Sequence, residues 1–193
     1  MSELLYTKIR SIVEIDKEAF TYFSSLFVPK KVRRRQYLLQ EGDVCKYQAF
    51  VEKGMLRSYT VDEKGSEHIL QFGSEGWWMA DLSSYLTQEP SFLNIDALED
   101  TSVLLLSKPH WEQAMKHVPA LEHYFRIILQ NHLVATQKRL LQSLTETAEE
   151  KYNRFLQIYP ACVQRLPQHQ IASYLGVSRE TLSRIRKQVA DRS

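Results

Sequence analysis

Cysteine is nearly absent from this chain. The two that occur, Cys45 and Cys162, lie far apart and frame neither a disulfide network nor a metal cluster. An iron–sulfur centre, which takes about four thiolates, is therefore excluded. Long apolar runs are also missing: no stretch approaches the roughly 20 residues that span a bilayer, so no membrane partner is expected. The first 20 residues, MSELLYTKIRSIVEIDKEAF, mix charges at helical spacing and show neither the apolar core nor the cleavage site of a signal peptide. The expected setting is soluble, reducing and cytoplasmic. Catalytic signatures are lacking as well. There is no G-x-S-x-G elbow for a serine hydrolase. His68 is the only histidine in the strand-rich part, too few for a cupin-like metal site, and His110, His117, His123 and His132 read as solvated or core side chains rather than haem ligands. No enzyme activity, catalytic residue, metal or cofactor is expected. Internal repeats and low-complexity tracts are absent too, and with 44% apolar and 25% charged residues the composition is that of a globular protein, not a disordered or fibrous one.

What is present is unevenly distributed. Residues 1–150 carry 17 basic and 21 acidic side chains, whereas residues 151–193 carry 8 and 2, so a basic tail follows a mildly acidic body. Such a tail suits a polyanion, although a solvated basic helix end has the same composition. Between about residues 30 and 108 the helical period gives way to short β-rich runs: Gln36–Leu39, Gln48–Glu52, Met55–Val61, His68–Phe72, Leu93–Leu98 and Ser102–Leu106. Turn signals such as Lys53-Gly54 and Asp62-Glu63-Lys64-Gly65 separate them, and the second of these predicts a hairpin. Strands of this length and spacing predict an antiparallel sandwich or barrel. The run Lys30-Lys31 with Arg33-Arg34-Arg35 reads as the solvated start of a strand, a second DNA contact being the alternative.

Helix returns with Pro109, which opens a short helix over His110–His117. A longer helix is expected over Pro119–Leu144. One apolar track runs through Phe125, Leu129, Leu133, Leu140 and Leu144, and another through Leu121, Tyr124, Ile127, Ile128, Val134 and Leu141. Two apolar faces need two partners. The chain's own barrel supplies one, and a second copy of the helix is the economical candidate for the other, burial against the same chain being the alternative. Thr147-Ala-Glu-Glu150 has the spacing of a capping box and opens a helix expected to run to Tyr159.

The segment PQHQIASYLGVSRETLSRIRK, Pro167–Lys187, reads as a helix–turn–helix. Ile171 and Leu175 form the inner face of its first helix, and Ala172 is small where two helices cross. Gly176 supplies the tight turn, Val177 fills the corner and Ser178 caps the second helix. Leu182, Ile185 and Val189 point inward, which leaves Arg179, Glu180, Ser183, Arg184 and Lys187 outside. Arginine donates two hydrogen bonds to guanine in the major groove, and glutamate accepts from cytosine. Ser183, Arg186 and Lys187, with Gln168 and His169 at the start of the first helix, suit phosphate contacts. An acid facing a polyanion costs affinity unless it reads a base, so Glu180 argues for sequence-specific binding. Its alternative role is an acid favoured by the helix dipole. A helix–turn–helix that contacts protein instead of DNA is the rival reading. It corresponds to a regulatory β-roll module that binds a small ligand or a protein partner without sequence-specific DNA binding.

Ser178-Arg-Glu-Thr-Leu-Ser-Arg184 resembles the recognition-helix signature of the Crp/Fnr transcription regulators. Glu41-Gly42-Asp43 and Val51-Glu-Lys-Gly-Met-Leu-Arg57 resemble that family's early barrel strands. Trp78-Met-Ala-Asp-Leu82 and Pro90–Asp100 resemble the cassette that holds an effector's phosphate. The Trp-Trp pair and Pro167-Gln-His-Gln-Ile-Ala-Ser-Tyr-Leu175 look like the Bacteroidetes-type branch. The resemblance implies an α+β chain in three parts: N-terminal helices with a jelly-roll-like antiparallel β-roll of the cyclic-nucleotide-binding-domain fold (1–118), a long dimerisation helix and hinge (119–146), and a helical helix–turn–helix domain (147–193). It also implies a homodimer formed through Pro119–Leu144 that acts on double-stranded DNA, with RNA polymerase and an unidentified small-molecule effector as further partners. Two recognition helices about 34 Å apart then match a palindrome with half-sites one DNA turn apart. Arg179, Glu180 and Arg184 fall on the family's base-reading positions.

Two departures from the family stand out. The cyclic-nucleotide-binding members hold the phosphate with an arginine and a small hydroxyl residue. Here Ser91 offers the hydroxyl, yet no Lys or Arg occurs from Gly65 through Ser107, where Glu67, Glu75, Asp81, Glu89, Asp96, Glu99 and Asp100 supply negative charge. A buried phosphate without a counter-cation is strongly disfavoured, so cAMP and cGMP are not expected to bind through the usual cassette. An effector pocket is expected around Trp77, Trp78, Asp81, Tyr85, Ser91 and Phe92, a filled aromatic core being the alternative. In addition, Ala190-Asp-Arg-Ser193 leaves no room for a full two-stranded wing, so fewer backbone contacts are expected.

Overall fold

A computed structural model describes residues 2–160 and 162–190, the side chain of Ala190 excepted. The expectation of a missing wing rests on residues that lie largely outside the described ones. The chain begins with α1 (Glu3–Arg10) and α2 (Lys17–Ser25), each capped by the side chain before it: Ser2 Oγ accepts from Leu5 N, and Asp16 Oδ1 from Ala19 N at 2.7 Å. Strands β1 (Val28–Val32), β2 (Tyr37–Leu39), β3 (Tyr47–Lys53), β4 (Leu56–Val61), β5 (Glu67–Gly73) and β6 (Trp78–Met79) follow. The short α3 (Leu82–Thr87) precedes β7 (Asn94–Ala97) and β8 (Thr101–Ser107). Two four-stranded sheets result, ordered β1-β8-β3-β6 and β2-β7-β4-β5.

The alternation of side chains along each strand explains the layering. Ala49 and Val51 of β3, Leu56 of β4, Ile95 and Ala97 of β7, and Val103 and Leu105 of β8 meet in one core between the sheets, joined by Val32, Leu39, Met79 and Tyr85. Phe50 and Leu106 point to the other side of β3 and β8, where the helices cover them. The Lys53-Gly54 turn requires its glycine: φ is +96°, and a Cβ there would fall 2.5 Å from Thr101 Oγ1 and 2.8 Å from the Asp100 carbonyl. The hairpin of β4 and β5 turns at Asp62, whose carboxylate accepts from Lys64 N and Ser66 N at 2.9 Å each and pairs with His68 at 2.8 Å.

Helix α4 (Lys108–His117) starts one residue before Pro109, with Ser107 as its cap. Helix α5 (Pro119–Thr145) is continuous over 27 residues. Leu121, Tyr124 and Phe125 are buried with Leu5, Phe20 and Phe23 in the helical core, so the two apolar tracks share one buried side at the start of the helix. Beyond Ile128 the apolar residues Leu129, Leu133, Val134, Leu140, Leu141 and Leu144 are exposed. Helices α6 (Ala148–Ile158), α7 (Gln168–Leu175) and α8 (Arg179–Ala190) complete the chain. The capping box at α6 forms as expected: Thr147 Oγ1 accepts from Glu150 N, and the Glu150 carboxylate accepts from Thr147 N at 2.8 Å.

The chain divides into two compact units. One lies within residues 1–60 and 71–131. The other lies within 61–70 and 132–193, so the far end of the β4–β5 hairpin goes with the C-terminal helices. No helix among the described residues is long and apolar enough to cross a membrane.

Candidate nucleic-acid interface

The second unit holds its helix–turn–helix through a small core. Ile171, Ala172 and Leu175 of α7 are buried, as are Leu182 and Ile185 of α8 and Tyr152 and Phe155 of α6. Phe155, Tyr159 and Tyr174 stack in a triangle with ring centroids 5.3–5.6 Å apart. Each fully buried leucine or isoleucine contributes about 1.5–3 kcal/mol, so rotating α8 to bury its basic face would forfeit several such terms. Gly176 closes α7 in the left-handed region at φ +67°, its N–H bonded to the Ser173 carbonyl, and Val177 N bonds to Ala172 O at 3.0 Å. Ser178 then caps α8 by accepting from Thr181 N at 3.1 Å.

This register decides which side chains face water. Arg179, Glu180, Ser183, Arg184 and Lys187 are exposed and Arg186 is half-buried. Neither Arg179 nor Arg184 forms an ion pair with another described residue. Glu180 folds back on its own backbone amide, with Ser178 Oγ and the Arg179 guanidinium beside it, and these hold its carboxyl below the usual glutamate range. It is therefore anionic at neutral pH, beside a field of cations. Gln168 and His169 are exposed in the first turn of α7, where Pro167 provides no side-chain cap. Gln170, next to them, is buried with its Oε1 unpartnered.

The six residues expected to line an effector pocket are spread over the first unit. Trp78 packs against Phe27, Phe50 and Phe125 and donates its indole N–H to Tyr124 Oη at 3.1 Å. Tyr85 lies in the separate core between the sheets, where burial pushes its phenol well above the ordinary range. Trp77 is partly exposed, its carbonyl accepting from Val51 N, and Phe92 stands 77% exposed. Asp81 and Ser91 do come together: Asp81 caps α3 through Ser84 N and accepts from the Ser91 hydroxyl at 2.7 Å, both residues being buried. Sequence reasoning missed a further pair. Arg57 and Asp96 face each other across β4 and β7 in a buried two-pronged ion pair at 2.8 and 3.0 Å, the guanidinium 4.2 Å from the Tyr59 ring centroid. The cation nearest in sequence to the cassette from the N-terminal side, apart from exposed Lys64, is thus already engaged. No group of three or more His, Cys, Asp or Glu side chains among the described residues is placed to hold a metal.

Fold and surface together define a class: a mixed α/β chain with an N-terminal β-roll and a C-terminal helix–turn–helix whose basic face is open. Comparison with known proteins narrows it. Residues 29–118 match the family model of the cyclic nucleotide-binding domain. The chain is 26% identical over 167 residues to the fumarate and nitrate reduction regulatory protein of Vibrio cholerae, an alignment covering 81% of this chain and 66%, just under two thirds, of that protein. Among solved structures, FixK2 from Bradyrhizobium japonicum superposes with a TM-score of 0.76 at 21% identity, over 86% of this chain and 85% of that one. The catabolite activator protein of Thermus thermophilus gives a TM-score of 0.59 at 22% identity, over 92% and 85%. The chain thus shares its fold with regulators of the Crp/Fnr type.

Proposed function

We propose that the chain is a DNA-binding transcription regulator of the Crp/Fnr type, close to its Bacteroidetes-type branch. One observation carries this reading: the helix after the Gly176 turn buries Leu182 and Ile185, and so presents Arg179, Glu180, Ser183, Arg184 and Lys187 together on its open side. Arg179, Glu180 and Arg184 read base edges. Ser183, Arg186, Lys187, Gln168 and His169 meet phosphates, while Ser178 sets the start of the helix. The protein acts in the cytoplasm as a homodimer through Pro119–Leu144, with the exposed leucines of α5 forming the seam. Its sites are palindromic, and RNA polymerase is a further partner by family likeness.

The β-roll does not take cAMP through the usual cassette. The Ser91 hydroxyl is already held by the Asp81 carboxylate, the stretch from Gly65 to Ser107 carries no Lys or Arg, and Arg57 is committed to Asp96. A phosphate placed there would face a buried acid without a counter-charge. Any effector of the roll is thus of different chemistry.

The test is a binding selection on fragments of the protein's own genome, followed by anisotropy titration at two salt concentrations. Tight binding to a few fragments, with affinity falling steeply as salt rises, supports the reading. Absence of binding at low salt overturns it in favour of a module that contacts protein.

A further inference from the structure

The far end of the β4–β5 hairpin belongs to the second unit, and two side chains of that unit grip it. Strand β5 is last in its sheet, so the backbone groups on its outer side have no strand to pair with. Unpaired edges of this kind are either covered or left open to other chains. Here α7 and α5 supply the cover. The Ser173 hydroxyl accepts from Ile69 N–H at 3.1 Å and donates to the Glu67 carbonyl at 2.5 Å, so one side chain satisfies two groups that point away from β4. The Arg139 guanidinium donates to the carbonyls of Leu70, of Ile69 at 3.1 Å and of Tyr174 at 3.2 Å, and lies 4.2 Å from the centroid of the Tyr174 ring. It thus bridges the strand edge, the long helix and the first helix of the helix–turn–helix. The reading face of α8 remains exposed while these contacts are made.

We propose that Arg139 and Ser173 form a latch that makes the hairpin Val61–Leu70 a structural part of the DNA-binding unit, and that both are positioning residues for DNA binding. This rests on the DNA-binding reading above. A helix pair held in advance on a strand edge loses less freedom when it settles on a duplex, so the latch raises affinity for a specific site without touching it.

The experiment compares wild type, Ser173→Ala, Arg139→Met and Arg139→Lys in the full chain. Amide hydrogen exchange of peptides covering residues 66–71 is measured without DNA, and anisotropy on a fragment that the wild type selects. Removing one or two such hydrogen bonds should speed exchange of the hairpin about tenfold and weaken specific binding about tenfold, while exchange within α8 stays unchanged. Arg139→Lys should fall with Arg139→Met, because lysine keeps the charge but loses the fork and the stacking. Unchanged hairpin exchange in Ser173→Ala and Arg139→Met overturns the latch. Faster exchange with unaltered DNA affinity overturns its positioning role. So does full rescue by lysine with no effect of Ser173→Ala, the pattern of a direct phosphate contact. A wild-type chain that binds no fragment removes the DNA reading and the positioning role with it, while the exchange data still decide whether the latch exists.

Discussion

Replacing Leu140 with Glu should separate the proposed dimer into single chains. Leu140 is 63% exposed on α5, flanked along the helix by Leu133 at 58% and Leu144 at 77%. Fully burying a leucine is worth about 1.5–3 kcal/mol, so covering the exposed share of this one yields about 1–2 kcal/mol. A two-fold axis brings the residue in twice, and the dimer loses about 2–4 kcal/mol with each such substitution. That corresponds to a rise of roughly 30- to 700-fold in the dissociation constant. Glutamate adds to this by setting two like charges near the axis. Sedimentation velocity over a wide range of protein concentration reads the change directly. Lys138→Ala, which points round the helix from Leu140, should leave association intact. The reasoning fails if Leu140→Glu self-associates as the wild type does, or if the wild type is monomeric throughout.

Four other outcomes follow from the structure. Ser178→Ala removes the cap of α8 and should cost about 1 kcal/mol of stability in thermal or urea melts; no shift would mean that the cap is idle. Gly176→Ala meets open space but keeps a left-handed backbone, so its cost should be limited to about 1 kcal/mol of strain, measured in the same way. Calorimetric titration with cAMP should give no binding heat, and micromolar affinity would contradict the Asp81–Ser91 arrangement. Glu150 is held below the ordinary glutamate range by the Thr147 backbone and hydroxyl. With its folded value depressed, its contribution is complete above the unfolded value and fades as pH falls through the folded one. Acid unfolding of α6 should therefore lose part of its pH sensitivity in that window in Thr147→Ala, which removes the hydroxyl but keeps the backbone N–H that is the larger cause.

The parts of the fold legible in the sequence are those whose neighbours are close in sequence. The register of α7 and α8 followed from inward residues three, four and seven apart, with a glycine between the helices, and the hairpin followed from the Asp62–Gly65 turn. Strand β1 was legible only in part: Lys30-Lys31 read as a solvated strand start and do lie in β1, but the strand begins at Val28 and Arg33–Arg35 lie past its end. It is an edge strand in which only Val32 is buried, while Pro29, Lys30 and Lys31 face water, so no alternation marks it. Strand β6 consists of two residues held by β3, and α3 of six residues begun by the Asp81 cap, too short for either period to show. The aromatic cluster Trp77, Trp78, Tyr85 and Phe92 suggested one lined pocket by composition. Which core each ring enters depends on the pairing of β6 with β3, so Trp78 and Tyr85 occupy different cores and Phe92 neither. Arg57–Asp96 and Ser173–Ile69 join residues 39 and 104 positions apart, and local pattern carries no trace of either.

The claim that α8 reads bases is tested most directly by a loss-of-contact measurement on a selected site. Wild type and Arg184→Ala are titrated against the intact palindrome and against variants changed one base pair at a time. Wild type should lose about 1–3 kcal/mol when the guanine contacted by Arg184 is replaced, and Arg184→Ala should be indifferent at that position while still discriminating at the others. Equal discrimination by both proteins at every position would contradict it.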